Sequence, residues 1–574
     1  MIARARAFVS ASALSVAGAF VVVGPSAGCS HSDNARAAQA EDGGADGAPG
    51  EDAQADVLTP PPIPRTQGEG QLAPQRHACG FDAGAWPGQT LGTEFPLGDD
   101  IPIKHVIVVM QENRSFDHYL GRLVAQGYYK AGDFSDGTGT TPDAGPDTGT
   151  TPDAGPDTGA APDAGPDTGA DAGATTEAGA ATDAGSDSGA AGDASAAGDA
   201  GGSRGSGFAH ADELDVPPPG WSNTDSDGGV VVPHPDNEYC FTADHSWAAM
   251  HNDYDDGRLD RFVMQNEPDG QRVFFYEDDT VIPFYYALAN TFSVGDQYHA
   301  PVLGPTWPNR LYLMAATSFG IGDNSFVTID TAEHPVAQIF TLLEEGGHTW
   351  KDYTDGPHML EFFSYFGFQK STFAHYGNVK CDLMHDLQSG NLPDVSFVMG
   401  DEFDEFSDEG PSDLPAIGAG LVESIVRALF ASPAWKDTAL FMAYDENGGM
   451  ADHVAPAPAC APDGYAPHDV NMNPLPGAFD TTGFRVPFIV VSPYARAHFA
   501  SHTVYDHTSI TRFIEARFGL PALTARDANA TPPFEMFDFR NPPFVTPPSL
   551  SAHTTAPPAI VSQCKQSLPP TCPN

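Results

Sequence analysis

Lys104-His105-Val106-Ile107-Val108-Val109-Met110, followed at once by Gln111-Glu112-Asn113-Arg114-Ser115, decides the fold class of this chain. A β-branched, apolar run without polar alternation is the pattern of a strand buried on both faces. Polar residues end it, and residues 115–124 carry the spacing of a helix start. The same alternation recurs downstream. Residues 421–430 (LVESIVRALF) have helical apolar spacing and stop before Pro433. Residues 438–443 and 486–491 are two more short apolar runs of strand type. Asp506-His507-Thr508-Ser509 offers N-caps to a helix ending near Phe518, with Gly519 suited to its left-handed stop. Strands alternating with helices over this length predict an α/β domain with a mostly parallel central sheet flanked by helices.

Composition limits how much of the 574 residues that domain can use. Gly (60) and Pro (52) make up about a fifth of the chain, where roughly 12% is usual. They are concentrated in two tracts. One spans residues 29–75 and is rich in Ala, Gly, Asp and Pro, which predicts a disordered tether. The other spans residues 136–207 and carries a ten-residue repeat, TPDAGPDTGT, TPDAGPDTGA, APDAGPDTGA. Residues 141–200 hold twelve acids and no base, so this tract reads as a disordered acidic insertion that contributes nothing to a core. Both of its flanks look globular and neither looks complete. Residues 76–574 are therefore expected to form a single domain interrupted by that insertion. The formal charge of −51 excludes a nucleic-acid binder and docking on anionic lipid.

The first residues, MIARARAFVSASALSVAGAFVVVGPSAGCS, have a basic start at Arg4 and Arg6 and an apolar run over residues 8–23. That is a secretory signal over residues 1–28. Ser26-Ala27-Gly28-Cys29 resembles a bacterial lipobox, which would lipidate Cys29 and anchor the exported protein in the cell envelope. An ordinary cleaved signal, leaving the protein secreted, is the alternative. Cys79, Cys240, Cys381, Cys460, Cys564 and Cys572 remain, an even number that suggests disulfides in an exported chain.

Two carboxylate groups follow strand ends: Glu112-Asn113 and Asp445-Glu446. Ligands of open α/β sheets bind beyond the carboxyl ends of strands, and oxygen-only donors suit a hard divalent ion. Acids there also cap helix N-termini, a reading equally open to either group alone. Gly304-Pro305-Thr306 forces a turn directly before a hydroxyl residue, with a helix expected over residues 309–316. Thr306 is then an N-cap, or a nucleophile activated by a metal. His245, His251, His299, His453 and His507 lie in polar, turn-rich segments.

The run IKHVIVVMQENRSFDHYLG resembles the opening motif of the bacterial phosphoesterase family of non-haemolytic-type phospholipases C and related acid phosphatases. HSWAAMHNDYDDGRLDRFV, YYALANTFSVGDQYHAPVLGPTWPNRLYLMAATS, SPAWKDTALFMAYDENGGMADHV and FRVPFIVVSPYARAHFASHTVYDHTSITRFIEARFG continue it in order. The resemblance implies an alkaline-phosphatase-like fold and metal-dependent hydrolysis of phosphate esters through a covalent phosphothreonine. It makes Thr306 the nucleophile, Glu112, Asn113, Asp445 and Glu446 the ligands of a divalent metal, and His245, His299 and His453 phosphate contacts. The implied substrate is a phospholipid diester, with a phosphomonoester as the alternative and a non-catalytic surface lipoprotein as a third reading. Five residues depart from the family pattern. Asn447 and Gly410 stand where members often have His, Met450-Ala451 where an aromatic pair is common, and Trp307 where Asn is common.

Overall fold

The computed structural model describes residues 58–132, 212–235, 243–325, 329, 338–356, 358, 363, 374–400, 407–410 and 414–555. The signal, Cys29, Cys240, Cys564, Cys572 and the repeat tract lie outside them.

An eight-stranded sheet forms the centre. Its strands in chain order are β1 (His105–Gln111), β2 (Ser293–Gly295), β3 (Trp350–Thr354), β4 (Tyr376–Gly377), β5 (Val395–Met399), β6 (Thr438–Tyr444), β7 (Phe488–Val491) and β8 (Phe499–Ser501). Across the sheet the order is β4-β3-β5-β1-β6-β7-β2-β8, and every strand but β7 runs in one direction. The expected α/β fold is therefore observed. Val106 to Met110 and Thr438 to Tyr444 are buried on both faces, which is why those runs lack alternation.

Six helices matter for the site: α1 (Glu69–His77), α2 (Phe116–Tyr119), α3 (Trp247–Tyr254), α4 (Thr306–Ala315), α5 (Pro415–Ala431) and α6 (His507–Phe518). Helix α6 is the one read most fully in advance, capped by Asp506 and ended by left-handed Gly519. It packs on α4, and α5 packs on a helix over Pro283–Thr291.

Several boundaries differ from expectation, each for a local reason. Strand β7 begins at Phe488, after Pro487, which has no N–H for the ladder. Helix α2 lasts four residues, because Gly121 follows and a Cβ there would lie 2.5 Å from the Asp117 carbonyl oxygen. Helix α4 starts at Thr306 instead of residue 309, since Pro308 falls in the first turn, where no N–H is missed. The tether expected over residues 29–75 ends early: Leu58 N–H donates to the Glu345 carbonyl at 2.8 Å, and α1 is anchored by a disulfide from Cys79 to Cys460. Cys381 is disulfide-bonded as well. The flanks of the repeat tract meet, as Lys130–Ala131 pairs in parallel with Glu213–Leu214 and Lys130 N–H donates to Asp212 O at 2.8 Å.

Candidate active site

Strands β1 and β6 are adjacent and in register, Gln111 facing Tyr444. Their next residues, Glu112 and Asp445, therefore emerge side by side at the carboxyl edge of the sheet. Asp445 N–H donates back to Gln111 O at 3.1 Å, which keeps the two exits parallel. Asn113 turns with φ +63 and donates its backbone N–H to Asp445 Oδ1 at 3.0 Å. After Glu446 the chain needs two glycines with positive φ. A Cβ on Gly448 would sit 2.3 Å from the Asn113 carbonyl oxygen, so only glycine lets the β6 exit pass the β1 exit.

Thr306 comes from the other side. Asn309 shapes its turn, accepting from Val302 N–H at 3.0 Å and donating to the Gly304 and Pro305 carbonyls at 2.7 and 3.0 Å. This brings Thr306 Oγ1 within 3.5 Å of Asn113 Oδ1, at the first turn of α4. Arg310, one helical turn further and on the same face, is fully buried. It donates to Glu112 Oε1 at 2.7 Å and to Asp445 Oδ2 at 3.0 Å.

The donor set fits a hard divalent cation. The Asn113 side-chain oxygen faces Glu446 Oε1 closely and Asp445 Oδ1 at 3.2 Å. Bare oxygens in that arrangement repel unless the amide turns over or a cation lies among them. Three carboxylates, Glu112, Asp445 and Glu446, meet in the cage, and Arg310 pairs with the first two. Burial pushes the Asp445 carboxyl up, and burial together with the nearby Asp445 charge pushes Glu446 well above the usual range. Both shifts are those of carboxylates buried close together.

The histidines separate. His245 reaches the cage, its Nε2 lying 4.0 Å from Glu446 Oε1. His507 supports it from behind, with Nε2 on the Asp445 carbonyl at 2.9 Å and Nδ1 on Tyr298 Oη at 2.9 Å. Burial pushes its pKa down to about 4, so it is a neutral strut. His299 has other neighbours: Nδ1 pairs with Gly483 O at 2.9 Å, and its N–H donates to Tyr505 O at 2.8 Å. His251 pairs with Trp247 O at 2.8 Å.

His453 belongs to a second cluster. Its Nδ1 lies 2.7 Å from Asp117 Oδ2 and its Nε2 3.1 Å from Asp215 Oδ1. Arg485, buried, donates to Asp117 Oδ1 at 2.7 Å and to Asp452 Oδ1 at 2.8 Å. One ligand atom each from Asp117, Asp452 and His453 lie within 4.8 Å of one another, close enough to hold a metal ion. The Arg485 guanidinium bonds both carboxylates and His453 pairs with Asp117, which makes this group an ion-pair network first. Burial opposes a charged His453, but the attraction of Asp117 and the bonds to Asp117 and Asp215 prevail and hold its pKa up to about 9.

Reading the sequence alone missed Arg310, Asp117, Asp452 and Arg485. Arg310 was findable, since four residues from Thr306 on one helix means one face. Arg485 was not, because its partner Asp117 lies 368 positions away.

Comparison with known proteins adds the family. The model of the phosphoesterase family matches residues 103–151 and 230–521, more than half of the chain. The chain belongs to the phosphoesterase family. The first matched stretch holds Glu112 and Asn113, the second holds Thr306, Asp445 and Glu446, and the gap between them takes in most of the repeat tract. This family member is 32% identical over 346 positions to phospholipase C B of Mycobacterium tuberculosis, covering 54% of this chain and 66% of that protein. It is 29% identical over 523 positions to the non-hemolytic phospholipase C of Pseudomonas aeruginosa, covering 81% and 62%. With the non-specific phospholipase C1 of Arabidopsis thaliana the identity is 33% over 282 positions, covering 46% and 51%. The chain thus spans less than two thirds of each of these three relatives. A Vibrio parahaemolyticus protein in the alkaline phosphatase superfamily is 13% identical at a TM-score of 0.27, over 43% of this chain and 63% of that one. A score that low carries nothing further about the fold.

Proposed function

We propose that this protein hydrolyses phosphate esters with a divalent metal and a transient phosphothreonine, and that its substrate is a phospholipid diester cleaved in the manner of a phospholipase C. The observation that carries the proposal is Thr306 Oγ1 at a helix N-terminus, 3.5 Å from the side-chain amide of Asn113, which itself faces two carboxylates. Glu112, Asn113, Asp445 and Glu446 would hold the metal, which when bound supplies charge neutralisation at phosphorus and a lowered hydroxyl pKa. Thr306 attacks phosphorus in line, the bond from phosphorus to the alcohol oxygen breaks, and the alcohol leaves. Water then attacks the phosphothreonine, releases the phosphoryl group and restores the hydroxyl. The positive end of the α4 dipole favours the phosphoryl oxygens. Proton transfer to the alcohol is assigned to His245, supported by its approach to Glu446. Most of the rate comes from positioning and fixed charge, as is general in phosphoryl transfer.

A formal charge of −51 repels anionic headgroups, so a choline-type headgroup is the better match. Export and a lipid anchor on Cys29 complete the proposal and bring the enzyme to its substrate's surface. The test compares p-nitrophenylphosphorylcholine with p-nitrophenyl phosphate on one purified sample, before and after chelation. Hydrolysis of the diester, lost with chelator and restored by a divalent ion, is expected. Preference for the monoester assigns the acid-phosphatase reading instead, and hydrolysis of neither overturns both.

A further inference from the structure

Glu409 is the most costly side chain near the site, and the reaction as drawn does not use it. It is fully buried, and its backbone takes φ +74, a left-handed conformation that non-glycine residues rarely adopt. Such strain persists only where the surroundings over-determine it, and it is concentrated at functional sites. The side chain also demands space from a neighbouring helix: a Cβ on Gly418 of α5 would lie 2.0 Å from Glu409 Cγ. Two positions are thus given over to one carboxylate.

Its partners explain where that carboxylate acts. Glu409 Oε1 accepts from Gln111 Nε2 at 3.2 Å and from the Tyr285 hydroxyl, and Oε2 accepts from the Tyr444 hydroxyl at 2.7 Å. Gln111 is the last residue of β1 and Tyr444 the last of β6. The residues that follow them are Glu112 and Asp445. One anion therefore grips both strands immediately before each presents its acid to the cage. The same loop is tied to β1 by Gln111 Nε2 on Ser407 O at 3.1 Å and by Glu112 N–H on Asp408 O at 2.7 Å. Burial raises the Glu409 carboxyl to about 7, and the bonds from its tyrosine and Gln111 donors pull the other way.

We propose that Glu409 is a positioning residue, a buried carboxylate that locks the β1 and β6 exits in register through Gln111 and Tyr444 so that Glu112 and Asp445 converge on one ion. The inference rests on the metal-cage reading above. Glu409→Gln keeps the shape but offers an amide N–H₂ where donors already point. Groups that orient metal ligands typically cost about 10–100-fold in affinity or activity when changed. The expected result is therefore a manganese affinity about 10–100-fold weaker by calorimetric titration, with kcat reduced by a similar factor and KM within about twofold. Tyr444→Phe removes one hydroxyl at constant volume, is expected to fold normally, and should weaken manganese binding several-fold; it decides the matter if Glu409→Gln fails to fold. A Glu409 that only fills the core would lower Tm in these variants and leave manganese affinity and kcat at wild-type values, and that outcome overturns the proposal. Wild-type protein that binds manganese yet hydrolyses neither ester overturns the proposed function alone, and the titrations then still decide the role of Glu409.

Discussion

Replacing Arg310 by Met should destabilise the protein without metal and stabilise its hold on one. The guanidinium is buried and donates to both Glu112 and Asp445. Without it, three carboxylates share the cage with no fixed cation. Breaking a buried pair from one side costs about 3–5 kcal/mol. Carrying the size scaling of unfolding entropy to a domain this long gives about 1–2 °C per kcal/mol, so Tm in chelator should fall by about 3–10 °C. A unit charge removed roughly 5 Å from a divalent ion is worth about 7 kcal/mol at an effective dielectric of about 20, so manganese should bind at least about tenfold more tightly even if most of that is lost to relaxation. Saturating manganese should then narrow the Tm gap, because a ligand that binds the folded state stabilises it more when it binds more tightly. Differential scanning fluorimetry with chelator and with manganese reads both effects. A Tm within about 1 °C of wild type in chelator, or a gap that manganese leaves unchanged, would refute the charge balance drawn for the cage.

Three further outcomes are expected. His453 has its folded pKa raised from 6.5 to about 9, so its stabilising contribution is complete below about pH 6.5 and lost as pH rises through 9; His453→Asn should flatten that part of the stability curve measured by urea unfolding. Deleting residues 138–205 should change Tm by no more than a few degrees and leave activity intact, since the flanks already pair through Lys130–Ala131 and Glu213–Leu214 and loop closure entropy grows slowly with length. Cys29→Ser should move the protein from the membrane fraction to the soluble one at unchanged specific activity; wild-type protein already soluble outside the cell would contradict the anchor.

What the sequence disclosed depended on how local the physics was. Residues 106–110 and 438–443 announced buried strands because every side chain in them faces a packed layer. Asp506 and Gly519 marked the ends of α6 because caps are properties of a few adjacent residues. The side-by-side exit of Glu112 and Asp445 was legible from the rule that ligands collect at strand carboxyl ends. Hidden from the sequence was everything set by register between distant segments. Gln111 opposite Tyr444, Arg485 on Asp117, and Glu409 beneath both exits each need the sheet order, which no single stretch encodes. Of the grouped histidines, His245 and His507 come to the cage, whereas His453 is claimed by Asp117. Nothing in the spacing of a histidine distinguishes these environments, because burial and partner charge decide them.

The central claim is that Thr306 becomes phosphorylated during turnover. Wild-type protein mixed with p-nitrophenylphosphorylcholine, quenched in acid within a turnover and digested, should show one phosphorylcholine group on Thr306 by peptide mass spectrometry. Thr306→Ala should show none, lose turnover by about three orders of magnitude or more, and still bind manganese. Phosphate found on another residue, or a Thr306→Ala protein that hydrolyses the ester at the wild-type rate, would contradict the account.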